Sequence, residues 1–515
     1  MPKISKISGP PGTGKTTYLL RQIENACRKY NPDRIGAVSF SKASVEEIRA
    51  RVKEQLPGSL GRNIKTIHAL CFQLLGLKKS MVIDESSAKV KEWNETFPVW
   101  GLPVSAKLSD LEDDPNLQAE GYSVTENRKR MARIGVLRGT LTPKDRWPDD
   151  CRAMYRDWTA WCKENEYWDF TRMLEEVYKL KLSPSIDLLF VDEAQDLSSL
   201  QLAITHQWAT DCESAVWIGD PDQAIYRFSG AVPEDFRDLK VDWSHVLSQS
   251  YRVPVSVHEY ALRLIRGIGA RREDISYLPT DVPGNMSSGR RLFPDLSLPG
   301  SHMILTRCQY HLKRWQKYLI NKGIPWHNPY RDAPGWNPAE SKLWKAVQTY
   351  DEIVRGLEVY GQDVTRMIGL MYVAGNLEPG VKTRRKKLLA NPYDKHDAFS
   401  LSDRGWFTPE WFQFKRPLDS LFNLDGIAGD FLRLHGKEIV RQEPKVMIGT
   451  GHSFKGAEAD HTHIDMTSSP TIARSIMENQ QARDDEIRLA YTMVTRSRKT
   501  CSLLAPFGLP NNVFI

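Results

Sequence analysis

The chain has 515 residues, 41% hydrophobic and 26% charged, with a net charge of +7. That is the composition of a globular protein of two to four domains, and the mild basic excess permits a polyanionic partner without demanding one. No window approaches eighteen uninterrupted apolar residues, the Met-Pro-Lys start carries no apolar leader, and the seven cysteines form neither C-x-x-C pairs nor zinc-spaced Cys/His clusters; a membrane span, a signal peptide and a disulfide framework are therefore not expected, and a cytosolic protein with reduced thiols is.

The first predicted element is a short strand through Ile4 and Ile7, feeding the run Gly9-Pro10-Pro11-Gly12-Thr13-Gly14-Lys15-Thr16. This is a complete G-x-x-x-x-G-K-[ST], a pattern expected by chance in roughly one or two per cent of chains this long. Its glycines let backbone N–H groups turn inward around a polyphosphate. Lys15 reaches the β- and γ-phosphates, Thr16 offers its hydroxyl to Mg²⁺, and a helix beginning about Lys15 adds the positive end of its dipole. The nucleotide-binding set is Gly9, Pro10, Pro11, Gly12, Thr13, Gly14, Lys15, Thr16 and Thr17. The bland alternative is a Gly/Pro turn before a helix.

Next come a short apolar run at 34–39, a helix-like stretch from Ser44 to Leu56, and a segment 89–180 rich in Trp and charge and mostly helical by pattern. Apolar runs at 186–191, 215–218 and 303–305 read as buried strands, and residues 331–439, with many Pro, Gly and aromatics, read as irregular. Short apolar strands alternating with helices predict parallel sheets covered by helices. Fifteen tryptophans supply flat rings that could stack on bases. Two basic runs, Arg128-Lys129-Arg130 with Arg133 and Arg384-Arg385-Lys386-Lys387, fit solvated helix faces or contacts to a nucleic-acid backbone.

After the strand 188–191 stands Asp192-Glu193-Ala194-Gln195-Asp196. A carboxylate at the C-terminal end of a parallel strand is where a nucleotide's metal lies, so Asp192 pairs with Thr16 as the metal set, and Glu193 suits the base that orients the attacking water. An acidic helix N-terminus is the alternative.

These two motifs together resemble the UvrD/Rep family of superfamily 1 DNA helicases. Six further segments resemble the family's motifs in the family's order: Ser39-Phe40-Ser41-Lys42-Ala43-Ser44, Thr66-Ile67-His68, residues 219–231, Ser250-Tyr251-Arg252, residues 450–458, and residues 486–497. The segment 219–231, Gly-Asp-Pro-Asp-Gln-Ala-Ile-Tyr-Arg-Phe-Ser-Gly-Ala, is the most specific. The resemblance implies a catalytic set of Lys15, Asp192, Glu193, Gln223, Arg252 and Arg496, the two arginines reaching across from a second motor domain. It implies that Tyr251 stacks on adenine and Glu458 meets the ribose. It implies a strand-binding set of Phe40, Ser41, Thr66, His68, Tyr226, Phe228, Thr450 and His452. A core tyrosine (Tyr251), core aromatics and interdomain salt bridges are the alternatives for these positions.

The expected fold is α/β, with two RecA-like P-loop NTPase domains, each carrying a mainly helical or irregular insertion. The expected division is 1–88 with 181–246 for the first motor domain, interrupted by 89–180, and 247–330 with 440–515 for the second, interrupted by a reduced insertion at 331–439. The resemblance implies an ATP-dependent, Mg²⁺-using DNA helicase moving 3′→5′ on single-stranded DNA, active at single-strand/duplex junctions, with replication or repair proteins as partners and no membrane, in the cytoplasm of a bacterial or phage-infected cell. A translocase that displaces bound proteins with little unwinding, and a nucleotide-gated DNA-binding scaffold, are the rival readings. The chain departs from the family pattern at Ser229, where arginine is usual, and at Ile67, Lys42 and Ser44. Only eight residues precede Gly9, so the family's upstream adenine-reading glutamine segment is not expected, nor is a C-terminal nuclease module.

Overall fold

The computed structural model describes residues 2–55, 63–84, 88–102, 122–270, 272–273, 275–331, 333, 335–385 and 391–514. Two six-stranded sheets dominate, and every strand pair in both is parallel. The first contains β1 (Lys3–Ser8), β2 (Ile35–Ser39), β3 (Ile64–Thr66), β4 (Leu188–Asp192), β5 (Ser214–Gly219) and β6 (Trp243–Val246), in the order β3-β2-β4-β5-β1-β6. The second contains β7 (Asn285–Ser288), β8 (His302–Thr306), β9 (Trp326–His327), β12 (Val446–Thr450), β13 (Ala459–Asp465) and β14 (Ser497–Leu504), in the order β7-β14-β13-β8-β12-β9. Between them in sequence, β10 (Val359–Tyr360) and β11 (Lys395–His396) form a small antiparallel pair. The protein thus has two RecA-like lobes.

Strand alternation explains why both faces of each sheet are covered. On one face of the first sheet, Val38, Leu189, Val191, Ala215 and Trp217 pack against the helices Ile67–Leu74, Phe170–Leu180 and Ser199–Thr210. Their neighbours Ala37, Leu188, Phe190 and Ile218 face the other way, onto the helices Lys15–Cys27 and Lys42–Gln55. A strand buried on both sides loses its polar alternation and reads as a continuous apolar run. That is why β2, β4, β5 and β8 were legible. The predicted helix from Ser44 is Lys42–Gln55; Leu56 lies outside the described residues.

The segment 331–439 is more ordered than its composition suggested. It contains the helices Lys342–Val354, Gly361–Leu370 and Gly426–His435. Its Trp344, Tyr350, Trp411, Phe422 and Phe431 share one core with Ile304, Val446, Ile448 and Leu504 of the second sheet. Pro and Gly mark its turns, while its aromatics fill the interior.

Many of the tryptophans are structural. Trp93, Trp208, Trp217, Trp315, Trp326, Trp344 and Trp411 are fully buried, and Trp93, Trp158 and Trp161 make the centre of the first insertion. Burying an indole removes a large apolar area and needs one partner for its N–H: Trp93 Nε1 donates to the Trp100 carbonyl at 3.0 Å and Trp158 Nε1 to Asp169 at 2.8 Å. The expectation that the Trp count reflects base stacking is corrected for these rings.

The first basic run is likewise not a uniformly solvated face. Arg128 is buried, and Arg130 pairs with Asp150 at 2.7 Å over the Trp100 ring. In the second run, Lys386 and Lys387 lie outside the described residues.

One buried polar cluster bears on stability. His302 on β8 and His461 and His463 on β13 stack with ring centroids 4.8 and 5.5 Å from His302. The Leu298 and Pro299 carbonyls can only accept, so Nε2 of His302 and of His461 carry protons. His302 Nδ1 then accepts from His463 Nε2 at 3.1 Å, while His461 Nδ1 accepts from Thr500 at 2.9 Å. The charged groups nearest this cluster are Asp295, Arg291 and Asp460, with Lys499 paired to Asp460. Burial, then the neighbouring His302, holds His463 down at about 3, below its usual range. A histidine kept neutral in the fold binds its proton first in the unfolded chain, whose pKa is about 6.5. Stability should therefore be fully present above pH 6.5 and fall as pH drops toward 3, by about 1.4 kcal/mol per pH unit from His463. Urea midpoints between pH 7 and pH 5 check this: His463→Gln should flatten the slope, and an unchanged slope would remove His463 from the acid response.

Candidate nucleotide cleft and strand channel

Because the first sheet is parallel, the C-terminal ends of all its strands share one edge, and most of the sequence-predicted residues of the first lobe lie along it. β1 ends at Ser8 and runs into the P loop. Gly12 and Gly14 sit at φ 72° and 79°, where side chains are disfavoured. A Cβ on Gly12 would come within 2.6 Å of the Arg252 Cβ and 2.7 Å of the Ser250 Oγ. The loop is held by Gly9 N–H donating to the Gly219 carbonyl (2.9 Å) and Thr13 Oγ1 to the Pro10 carbonyl (2.8 Å). Lys15 Nζ donates to the Gly9 carbonyl at 2.8 Å, and Thr16 and Thr17 open the helix Lys15–Cys27.

The second lobe grips this loop through its backbone. Ser250 Oγ donates to the Pro11 carbonyl at 2.8 Å and Tyr251 N–H to the Gly12 carbonyl at 2.8 Å. Tyr251 is 76% exposed, so it is not a core tyrosine; its ring stands free beside the loop. Arg252 packs on Gly12 with its Nε buried and without a hydrogen-bond partner, and its Nη1 lies 3.4 Å from Glu458. Glu458 is shared with Arg498. Arg496 is buried, its Nη2 donating to Gln223 Oε1 at 2.8 Å and its Nε to the Thr492 carbonyl at 2.9 Å. Burial, then the Arg252 charge, lowers Arg496 to about 9. Two desolvated guanidiniums, those of Arg252 and Arg496, fit an anion.

Asp192 ends β4 opposite Ser39 of β2. Asp192 Oδ1 and Ser39 Oγ are both buried without partners. Burial, then the charge of Glu193, raises the Asp192 carboxyl. Glu193 follows at φ 49°, which swings it off the strand line. Burial opposes its charge, but Lys455 and Lys15 outweigh burial and hold it low. Orphaned oxygens on Asp192 and Ser39 beside a phosphate loop suit a small hard cation.

Lys455, Gln195 and Asp220 escaped the sequence-based set. Lys455 Nζ pairs with Asp196, lies 3.8 Å from Glu193 and donates to the Gln223 carbonyl at 2.8 Å. Gln195 donates to Glu193 and accepts from Asp220 N–H at 2.9 Å. Asp220 Oδ2 accepts from Gln223 Nε2 at 2.7 Å. The lysine inside His452-Ser453-Phe454-Lys455-Gly456 was the available signal, since it stands in the turn after β12 within a segment that already supplied His452 and Glu458 to the set.

The predicted strand-binding aromatics come together across both lobes. The Phe40 and Tyr226 rings lie 5.4 Å apart, Tyr226 and Phe228 5.9 Å, and Phe228 and His452 5.4 Å. Tyr226 Oη donates to the His452 carbonyl at 3.1 Å. Phe228 is 48% exposed. His68 stands apart, edge-on to Phe170 at 5.8 Å, and Phe170 is 51% exposed at a position on the apolar stripe of its helix; it too escaped the sequence-based set. Thr66, Ser41 and Thr450 are occupied locally. Thr66 caps the helix that follows it through Ala69 N–H at 3.2 Å, Ser41 accepts from Ser44 N–H at 3.1 Å, and Thr450 accepts from Ser453 N–H at 3.3 Å.

Among the described residues no helix is long and apolar enough to cross a membrane, and no group of three or more His, Cys, Asp or Glu could hold a metal ion by itself.

Comparison with known proteins agrees with this geometry. Residues 3–244 match the family model described as the UvrD/REP helicase N-terminal domain. A probable DNA helicase II homolog of Mycoplasma pneumoniae is 23% identical over 592 aligned residues, covering 98% of this chain and 82% of that protein. A probable DNA helicase II homolog of Mycoplasma capricolum is 25% identical, covering 72% of this chain and 55% of that protein. The ATP-dependent DNA helicase Rep of Buchnera aphidicola (strain APS) is 25% identical, covering 46% of this chain and 38% of that protein. The chain thus spans most of the first of these relatives and about half or less of the other two. Residues 3–244 thus resemble the N-terminal domain of UvrD/REP helicases, and the two parallel RecA-like sheets accord with that likeness.

Proposed function

We propose that the protein is an ATP-dependent DNA helicase that moves 3′→5′ along single-stranded DNA, with the two motor domains divided as 1–88 with 181–246 and 247–330 with 440–515. The observation that supports this best is the second lobe's hold on the P loop: Ser250, Tyr251 and Arg252 touch the loop, while Arg496 reaches Gln223 of the first lobe. Charge builds on the γ-phosphate oxygens during hydrolysis, so a site whose cations come from another domain makes turnover depend on closure.

In this reading Lys15 exchanges the Gly9 carbonyl for phosphate oxygens, and the P-loop N–H groups and the helix end cradle the rest. Tyr251 supplies a face for the base, Glu458 the ribose contact, and Arg252 and Arg496 the charge at the transferred group. Thr16 and Asp192 would hold Mg²⁺, which would supply positive charge to the phosphates. Glu193, kept ionised by Lys455 and Lys15, takes the proton of the attacking water. The strand lies along Phe40, Tyr226, Phe228 and His452, with Phe170 and His68 beyond them, because single strands are held by ring stacking plus backbone charge. Gln223 joins the two sites. Opening and closing of the cleft then alternates the grips of the two lobes on the strand.

A second reading, a translocase that strips proteins from single strands and unwinds poorly, is favoured by the insertion 331–439. It shares its core with the second sheet, which does not suit a duplex-gripping module that swings freely.

Unwinding of duplexes with 3′ or 5′ tails separates the two: opening from the 3′ tail supports the helicase, and strand-stimulated ATPase without opening supports the translocase. Lys15→Ala should abolish turnover, and near-wild-type ATPase would refute the phosphate assignment. Glu193→Gln should still bind Mg-ATP while hydrolysing it far more slowly, as filter binding and single-turnover rates would show. Phe228→Ala should weaken strand affinity by about 1–3 kcal/mol in anisotropy titrations, and an unchanged affinity would leave Phe228 as packing alone. Lys455→Ala strands the buried Asp196 and should cost about 3–5 kcal/mol of stability by urea unfolding; adding Asp196→Asn should recover much of it.

A further inference from the structure

Two consecutive residues of the turn Pro221–Gln223 are held by cations of the second lobe. Gln223 is locked. Asp220 accepts from its Nε2 (2.7 Å), so its Oε1 is left to accept from Arg496 (2.8 Å), and its backbone carbonyl accepts from Lys455 (2.8 Å). The residue before Gln223 carries an ion pair whose arginine lies outside the family motifs. Arg272 Nε donates to both carboxylate oxygens of Asp222, at 2.9 and 2.8 Å. Asp222 is almost completely buried, and its own N–H donates to Asp220 Oδ1 at 3.0 Å. Arg272 lies between the helix Val255–Ile265, which packs in the second lobe's core, and β7. Its neighbour Glu273 makes another bond across the lobes, to Lys6 of β1 at 3.1 Å. Three residues beyond Gln223 the same chain presents Tyr226 and then Phe228 to the aromatic row.

We infer that Arg272 is a positioning residue: it ties the Asp220–Phe228 loop to the second lobe, so that lobe movement is delivered to the strand-facing rings and to the Gln223–Arg496 contact together. This rests on the reading of the protein as a strand-stimulated ATPase. A buried carboxylate released from the cation bonded to it must protonate or find water, and the turn that bears it loses its defined place. Arg496 and Lys455 would still hold Gln223, Asp485 would still pair with Arg227 (3.1 Å) and the His452 carbonyl with Tyr226 (3.1 Å), but the buried turn ahead of them would no longer move with the lobe as one piece.

The test is steady-state ATPase of the full chain with and without saturating oligo(dT), for Arg272→Ala, Arg272→Lys, Asp222→Asn and the double variant Arg272→Ala/Asp222→Asn, with thermal melts alongside. Arg272→Ala should cut the ratio of strand-stimulated to strand-free kcat about tenfold, with KM for ATP within twofold of wild type. Arg272→Lys should restore part of that ratio. Asp222→Asn, nearly isosteric, should reproduce the loss, and the double variant should be no worse than either single change, because both remove one interaction. A purely structural pair would instead lower the melting temperature and both rates in step. A stimulation ratio within twofold of wild type in Arg272→Ala, or single losses that multiply in the double variant, would overturn the inference. If Arg272→Ala does not fold, Asp222→Asn and Arg272→Lys decide it by the same ratios. If the wild-type chain shows no strand stimulation, the functional reading itself fails; stimulation in wild type with an unaffected Arg272→Ala sinks only the role of Arg272.

Discussion

Two backbone carbonyls of a glycine-rich loop, those of Pro11 and Gly12, are bonded by residues of the other lobe. Much of the rest of the molecule follows from that contact. It requires glycine at position 12, since a Cβ there would collide with Ser250 and Arg252. It brings a desolvated arginine against the phosphate loop. It also places the proposed nucleotide site at the boundary between the two lobes.

The boundary is expensive in electrostatic terms. Asp192, Glu193, Asp196, Asp220 and Asp222 are clustered on the first lobe, and Lys455, Arg496, Arg272 and Arg252 face them from the second. Isolated, each group would shed or gain a proton. Among these carboxylates Lys455 and Lys15 outweigh burial only at Glu193, which lies low, whereas burial raises Asp192, Asp196, Asp220 and Asp222. Closure of the lobes is thus part of what keeps the candidate base ionised. The hydrogen-bond chain from Glu193 through Gln195, Asp220 and Gln223 to Arg496 is continuous across the gap, which gives the two lobes a shared polar element rather than two abutting surfaces.

Much of this was legible in the residues themselves. The P loop, Asp192-Glu193 and the apolar strands β2, β4, β5 and β8 announce themselves because burial on both faces leaves no polar alternation. β13 does not: Ala-Asp-His-Thr-His-Ile-Asp looks like surface, and it is buried with its histidines bonded to neighbouring strands and loops. Short edge strands such as β3 and β9 contain too few residues to show any period. Residues 331–439 looked irregular because helices and aromatics that close a core through distant partners have no local signature. At the site, Phe40, Tyr226 and Phe228 stood out as rings inside polar motifs, whereas Lys455, Gln195 and Arg272 gain meaning only from partners more than twenty residues away or across the lobes.

The common core of residues 331–439 and the second sheet has a wider consequence. Accessory segments that are merely appended can be trimmed, exchanged or lost while their host stays folded. Here excision would strip Ile304, Val446 and Ile448 of their covering and lay bare a broad oily surface. Shortening during descent could therefore proceed only until the remnant became indispensable as the sheet's lid, which makes this segment a floor on how small such a machine can become.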